Sequence, residues 1–294
     1  MPHTAAHDED GDRRELFVPG ARPELFAKAL AGEADALSFD LEDAVAEDRK
    51  AEARAAVADF IAGDAVPRAA KLIIVRTNAP DSPHFAADLA AVVRPGITLL
   101  NLPKIESPQA VLAAVAAIEQ AEHANGVAQP IGLLLNIETP RALAAAARIA
   151  AAHPRVAGLQ LGLGDLFEPH GIDRADPRNV HAAMFALRVA AAQAGVFAMD
   201  GAYALLDDDD GYREEAYMAR RLGFIGKTCI HPRQVALANA AFAASEAELA
   251  LARRIVEAAV QAPSRGAFVV DGRMIDLPFL KRAQALLATA RRAD

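Results

Sequence analysis

The stretch IGLLLNIE (131–138) is a short apolar run that ends on a carboxylate, Glu138. Four other stretches repeat the pattern: LIIVRTN (72–78) carries Arg76, TLLNLPK (98–104) ends on Lys104, LQLGLGD (159–165) on Asp165, and VFAMDG (196–201) carries Asp200. Each reads as a strand that leads into a residue able to do chemistry. If the strands lie parallel, their carboxyl ends gather a guanidinium, an amine and carboxylates on one rim. Such a rim suits a metal ion and an oxyanion rather than a hydrophobic core, and it makes the chain readable as an enzyme.

Outward from these five, of which the run into Asp165 begins at Val156, apolar runs also begin near Leu16, Ala36 and Phe224. Between the runs lie Ala-rich stretches with helical periodicity, such as ELFAKALA (24–31), AEDRKAEARAAVADFIA (46–62), SPQAVLAAVAAIEQA (107–121) and PRALAAAARIAAA (140–152). Pro and Ser at several helix starts fit N-terminal positions. Eight strand–helix units at a period of roughly 30 residues predict an α/β fold, a (β/α)8 TIM barrel with a C-terminal helical and loop appendage. A doubly wound open sheet is the alternative. The expected layout is a disordered polar tail over 1–12, the barrel over 13–232 and a C-terminal extension over 233–294. In the extension, GAFVVDGRMIDLP (266–278) interrupts two helical stretches.

A chain of 294 residues, 53% hydrophobic, can bury one large core or two ordinary ones. Its net charge of −8, with no basic stripe, argues against a nucleic-acid partner. A single cysteine, Cys229, excludes an intrachain disulfide and fits a reducing compartment. The charged start, MPHTAAHDEDGDRR, has no apolar signal-peptide core, and the apolar runs are too short to span a bilayer. These features predict a cytoplasmic protein with no membrane partner.

Two oxygen ligands on adjacent strands, Glu138 and Asp165, with nothing soft nearby, suit Mg2+. The alternative is that one of them is a helix cap or an ion-pair partner. Arg76 can hold a substrate carboxylate bidentately, and it can equally pair with Glu42 or Asp43 in DLED (40–43). Glu42 or Asp43 is expected to orient the guanidinium, with Asp40 structural. Lys104 is expected to act as a charge near the substrate or to pair with Glu106, rather than to form a Schiff base. Strand alternation puts Asn136 on the side of Glu138, within reach of the ligand shell. Gly162 and Gly164 let backbone approach a ligand, although a lone GxG is no dinucleotide fingerprint. DDDD (207–210) reads as a solvated turn, and His231 as a base, cap or packing residue. His170 and His181 have no evident partner.

With these residues in view, the chain resembles the citrate lyase beta-subunit-like branch of the HpcH/HpaI aldolase superfamily. The motifs that carry the resemblance are LFVPG (16–20), DLEDAV (40–45), VRTN (75–78), LPKIES (102–107), IET (137–139), GLGDL (162–166), LGFIGKTCIHPRQ (222–234) and GAFVVDGRMID (266–276). The resemblance implies a (β/α)8 barrel assembled as a homotrimer or a larger multiple. It implies Mg2+ on Glu138 and Asp165, and Arg76 on the substrate's carboxylate or carbonyl. It implies that Asp276, in the GxMID segment, serves acid–base chemistry in an adjacent subunit's site. Arg14 and Lys28 match basic residues that meet CoA phosphates. The implied activity is Mg2+-dependent cleavage, or formation, of a β-hydroxy acyl-CoA such as citramalyl-CoA or malyl-CoA. Alternatives are an aldolase acting on free hydroxy-oxo acids, or a citrate lyase beta subunit acting on a carrier-bound citryl thioester. The first strand departs from the usual Arg-Ser opening with Arg13-Arg14-Glu15, and Asn136 stands where an apolar residue is usual.

Overall fold

The computed structural model describes residues 13–261 and 266–293; the tail expected over 1–12 lies outside them. The chain divides into two compact units, one of Arg13–Ala241 and one that contains Phe242–Asp294.

The first unit alternates strands and helices. The strands are β1 (Arg13–Pro19), β2 (Ala36–Asp40), β3 (Leu72–Arg76), β4 (Leu99–Leu102), β5 (Gly132–Ile137), β6 (Val156–Leu161), β7 (Phe197–Met199) and β8 (Gly226–Cys229). The helices are α1 (Phe26–Leu30), α2 (Lys50–Ala62), α3 (Ala65–Arg68), α4 (Phe85–Val92), α5 (Pro108–Asn125), α6 (Pro140–Ala150), α7 (Leu163–Phe167), α8 (Pro177–Ala194), α9 (Asp209–Leu222) and α10 (Pro232–Phe242). All eight strands run parallel in the order β7-β6-β5-β4-β3-β2-β1-β8. The two outer strands meet at an Asp200–Lys227 bridge, with Asp200 N–H on Gly226 O at 3.0 Å and Thr228 N–H on Asp200 O at 3.1 Å. This is the expected barrel, nearly closed.

Period-two alternation sorts the barrel interior into levels. Near the amino ends, Ala36, Ile74, Leu99 and Leu134 form a buried apolar floor with Leu72 and Phe197 packed against it. Gly158 makes room for that floor, because a Cβ there would lie 2.1 Å from the Phe197 ring. The next level is polar and buried: Glu15, Ser38, Asn101, Gln160 and Thr228. Asn101 Nδ2 donates to Gln160 Oε1, and Gln160 Nε2 donates to Glu15 Oε2 and, at 2.8 Å, to Thr228 Oγ1. Phe17, Asp40, Arg76, Asn136 and Glu138 follow toward the carboxyl ends.

The helices start where caps are available. Ser107 and Thr139 accept from Ala110 N–H and Ala142 N–H, each just before a proline in the first turn, and Asp176 does the same for α8. Asp208 caps α9 from within the acidic run, and Asp207 and Asp210 are solvated. His231 accepts from Arg233 N–H at 3.2 Å, a capping role.

The second unit comprises α11 (Glu246–Gln261), β9 (Phe268–Val270), β10 (Arg273–Ile275) and α12 (Leu277–Ala293). The segment that interrupts its helices is a hairpin. Asp271 and Gly272 form a two-residue turn with φ of 50° and 76°, the left-handed pair that such a turn requires. Its core is Ala252, Ile255, Val270, Ile275 and Ala283. Residues 232–261 are apolar and long enough in sum to cross a membrane, yet they form two helices of 11 and 16 residues, each shorter than a span needs.

Candidate active site

The carboxyl ends of β2 and β3 build the first half of the site. Asp40 and Arg76 are register partners. Arg76 Nε and Nη2 donate to Asp40 Oδ1 and Oδ2, both at 2.7 Å, and Nη1 lies 3.1 Å from Glu42 Oε2. The sequence reading gave this role to Glu42 or Asp43 and left Asp40 structural. Asp40 takes the fork because it is in register, while Glu42 lies past the strand end. Asp40 also accepts from the N–H groups of Glu42 and Ala44, at 2.9 and 3.0 Å, which fixes the turn that carries Glu42. Burial alone would raise the Asp40 pKa, but Arg76 outweighs it and holds the carboxyl below its usual range.

Lys104 pairs with Glu42, not with Glu106. Its Nζ is 2.6 Å from Glu42 Oε1 and 3.6 Å from Asp43 Oδ1. Glu106 instead accepts from Thr139 Oγ1 at 2.7 Å. Partial burial acts to lower the Lys104 pKa, but the hydrogen bond to Glu42 and the charges of Glu42 and Asp43 raise it. A charged amine is no Schiff-base nucleophile. The Lys104 backbone is in the left-handed region at φ 55°, and in that conformation its N–H donates to Glu138 Oε1 at 2.6 Å. A non-glycine residue held there stores strain of the kind that clusters at functional sites.

Glu138 follows β5 and is 2% exposed. Burial pushes its carboxyl up to about 7; Lys104 N–H works against that, and Glu42 and Asp165 add repulsion. Asn136 Nδ2 is 3.4 Å from Glu138 Oε2. Asp165 does not end β6 as expected. That strand stops at Leu161, Gly162 turns the chain, and Asp165 projects from the first turn of α7. A Cβ on Gly162 would lie 2.5 Å from Glu138 Cβ and 2.8 Å from Oε2, so only glycine lets the two segments close.

A cavity of ≈ 310 Å³ opens over these groups. Arg76, Asp43, Asn136, Glu138 and Asp165 line it together, and Glu42 and Lys104 reach it through Arg76 and Glu138. Phe17, whose ring lies 5.0 Å from the Arg76 guanidinium, and Arg174 also line it. The sequence reading missed both. Phe17 was legible as an inward position of β1; Arg174 stands in an irregular loop with no pattern to mark it.

Other expected groups lie elsewhere. Arg14 is at the amino end of β1, where its N–H and Nη1 each donate to Asp35 Oδ2 at 3.0 Å, and it is not part of the rim. Lys28 is exposed on the short α1. Asp200 is fully buried, with Lys227 Nζ at 2.6 Å, and Lys227 is also 2.7 Å from Glu215 Oε1. That pair belongs to the barrel's framework rather than to its rim. Asp276 is in the second unit, between β10 and α12, and its Oδ1 is buried without a hydrogen-bond partner among the described residues.

The residues fit a hard divalent cation. Glu138 is held in a crowded, desolvated position with two other carboxylates nearby, and Asn136 Oδ1 is buried without a partner. The donors are all oxygen, which suits Mg2+ and no soft metal.

Comparison with known proteins agrees with this chemistry. Residues 13–232 match the family model described as HpcH/HpaI aldolase/citrate lyase. The citrate lyase subunit beta of Haemophilus influenzae is 36% identical over 95% of this chain and 97% of its own. The L-malyl-CoA/beta-methylmalyl-CoA lyase of Cereibacter sphaeroides is 33% identical over 95% of this chain and 94% of its own. Among solved structures, the protein CitE of Mycobacterium tuberculosis in complex with magnesium, acetoacetate and coenzyme A is 34% identical. It covers 96% of this chain and 99% of its own, with a TM-score of 0.76.

Proposed function

The chain belongs to the HpcH/HpaI aldolase/citrate lyase family, and we propose that it is a Mg2+-dependent carbon–carbon lyase acting on a β-hydroxy acyl-CoA. Citramalyl-CoA and malyl-CoA are the leading substrates, and the products are acetyl-CoA with pyruvate or glyoxylate. The observation that carries this reading is one cavity that holds Glu138, Asp165 and the clamped guanidinium of Arg76.

Glu138 and Asp165 would hold the ion, which when bound supplies Lewis-acid stabilisation of charge on the oxygens of the 2-oxo acid half. Arg76 binds the same half. Because Asp40 fixes its plane, the guanidinium keeps one orientation while charge shifts during reaction. Lys104 holds Glu42 through its amine and Glu138 through its backbone N–H. In cleavage the hydroxyl gives its proton to solvent water and becomes a carbonyl. The bond to the thioester's α-carbon breaks, and its electron pair becomes the acetyl-CoA enolate. A proton must then reach that carbon. We assign this step to Asp276 of an adjacent copy, in a homotrimer or a multiple of it. The carboxyl oxygen left without a donor in the second unit supports that assignment.

Purified protein given citramalyl-CoA or malyl-CoA should release a 2-oxo acid with Mg2+ and lose that activity in EDTA. Equal release in EDTA would remove the metal from the account.

A further inference from the structure

We infer that Asn136 is a specificity-determining residue: its Oδ1 accepts the hydrogen of the substrate's hydroxyl, so the site tells the β-hydroxy thioester from the 2-oxo acid that cleavage leaves. The inference rests on the lyase reading above. Asn136 belongs to β5, is 4% exposed and lines the cavity. Strand alternation puts it on the side of Glu138, two places on. Its Nδ2 is 3.4 Å from Glu138 Oε2, which sets the orientation of the amide. Turned over, the amide would bring its oxygen against the carboxylate. Oδ1 is therefore the atom left for a ligand, and it is buried with no donor among the described residues. A buried acceptor without a donor is costly, and a ligand hydrogen relieves it.

Two other polar groups of the cavity wall direct their hydrogens elsewhere. Gln160, the register partner of Asn136 on β6, directs Nε2 to Glu15 Oε2 and, at 2.8 Å, to Thr228 Oγ1. Thr228 directs its hydroxyl to Asp200 O at 2.9 Å. A ligand has to bring the hydrogen that Asn136 lacks. A hydroxyl that shares the ion with Glu138 is brought to the amide beside Glu138, and the ion's charge makes its hydrogen a stronger donor. The 2-oxo acid carries a carbonyl at the same position. It offers lone pairs and no hydrogen, so Oδ1 gains nothing from it. An amide oxygen is not a base. Asn136 sets the direction of the hydroxyl hydrogen, and the proton still leaves to water.

Lactate and pyruvate share one skeleton and differ by this hydroxyl against this carbonyl. In calorimetry at saturating Mg2+, the intact protein should bind lactate about 10-fold more tightly than pyruvate, the scale of one hydrogen bond. Asn136→Leu, close in volume, should remove that preference and leave pyruvate affinity nearly unchanged. Reading both acids on one preparation separates specificity from folding. Catalysis should divide in the same way: the variant raises KM for citramalyl-CoA about 10-fold and leaves KM for pyruvate in the condensation direction. If the two acids bind the intact protein alike, or the variant keeps the preference, the inference is overturned and the lyase reading stands. If the variant does not fold, the two acids on the intact protein decide. If neither acid binds but citramalyl-CoA is cleaved, the two KM values decide, and an unchanged pair overturns the inference. If the intact protein cleaves neither citramalyl-CoA nor malyl-CoA, the lyase reading falls and takes this inference with it.

Discussion

At the scale of single residues, the site separates groups that hold charge from groups that hold geometry. Glu138 is crowded by acid, so Glu138→Gln keeps the shape and removes repulsion. It should lower kcat by at least ~10²-fold, the usual cost of an essential electrostatic group, while thermal stability stays level or rises. Paired kinetics and melting would check both halves. Arg76→Ala should behave differently. It strands Asp40, 1% exposed, and should cost about 3–5 kcal/mol of stability as well as activity. Glu15 provides a pH-dependent test away from the metal ligands. Burial raises its carboxyl to about 7 against the hydrogen bonds of Gln160 and Thr228. Between the usual carboxylate range and about 7, the folded state binds a proton that the unfolded state has lost. Stability should therefore fall as pH rises through that window. Glu15→Gln should raise the melting temperature more at pH 8 than at pH 5, and an equal shift at both would refute a buried titrating carboxyl. Much of this scale was legible in the sequence. Arg76, Asn136, Glu138 and Asp165 could be read as one constellation because strand alternation and strand ends are written in the apolar pattern. The partners were not legible: Asp40 wins Arg76 through strand register, which the sequence of either strand alone does not contain.

At the scale of elements, glycine and strained backbone determine how the strand ends meet. The strands were readable because an apolar run marks each of them and Ala-rich helices separate many of them. Two features at their ends were not. The sequence places Asp165 at the end of β6, whereas that strand stops at Leu161, Gly162 precedes α7, and Asp165 stands in the first turn of that helix. Nor does LPK announce that Lys104 takes φ 55°, because a lysine has no intrinsic preference for that region. Gly162→Ala is the corresponding test. Its Cβ meets Glu138 Cβ at 2.5 Å, so it should weaken Mg2+ binding by ~10-fold or more in calorimetry while far-ultraviolet circular dichroism stays native. Gly158→Ala strikes the Phe197 ring instead and should cost about 1–3 kcal/mol without altering metal affinity. Metal affinity that responds equally to both would mean that the Gly162 contact has no special role.

At the scale of the whole molecule, the proposed assignment of Asp276 draws each site from two copies of the chain. Asp276 stands in the second unit and Glu138 in the first, and the proposed chemistry takes them from different chains. Inactive Glu138→Gln and Asp276→Asn proteins, mixed under subunit exchange, should regain activity, since some sites then combine an intact Glu138 with an intact Asp276. No recovery in confirmed hybrids would place Asp276 outside the neighbouring site. The most direct test of the central claim is the product balance from citramalyl-CoA with Mg2+. A carbon–carbon lyase releases acetyl-CoA and pyruvate one to one, with no free thiol, and Glu138→Gln abolishes both products together. Free CoA without pyruvate, or pyruvate release that survives Glu138→Gln, would contradict it.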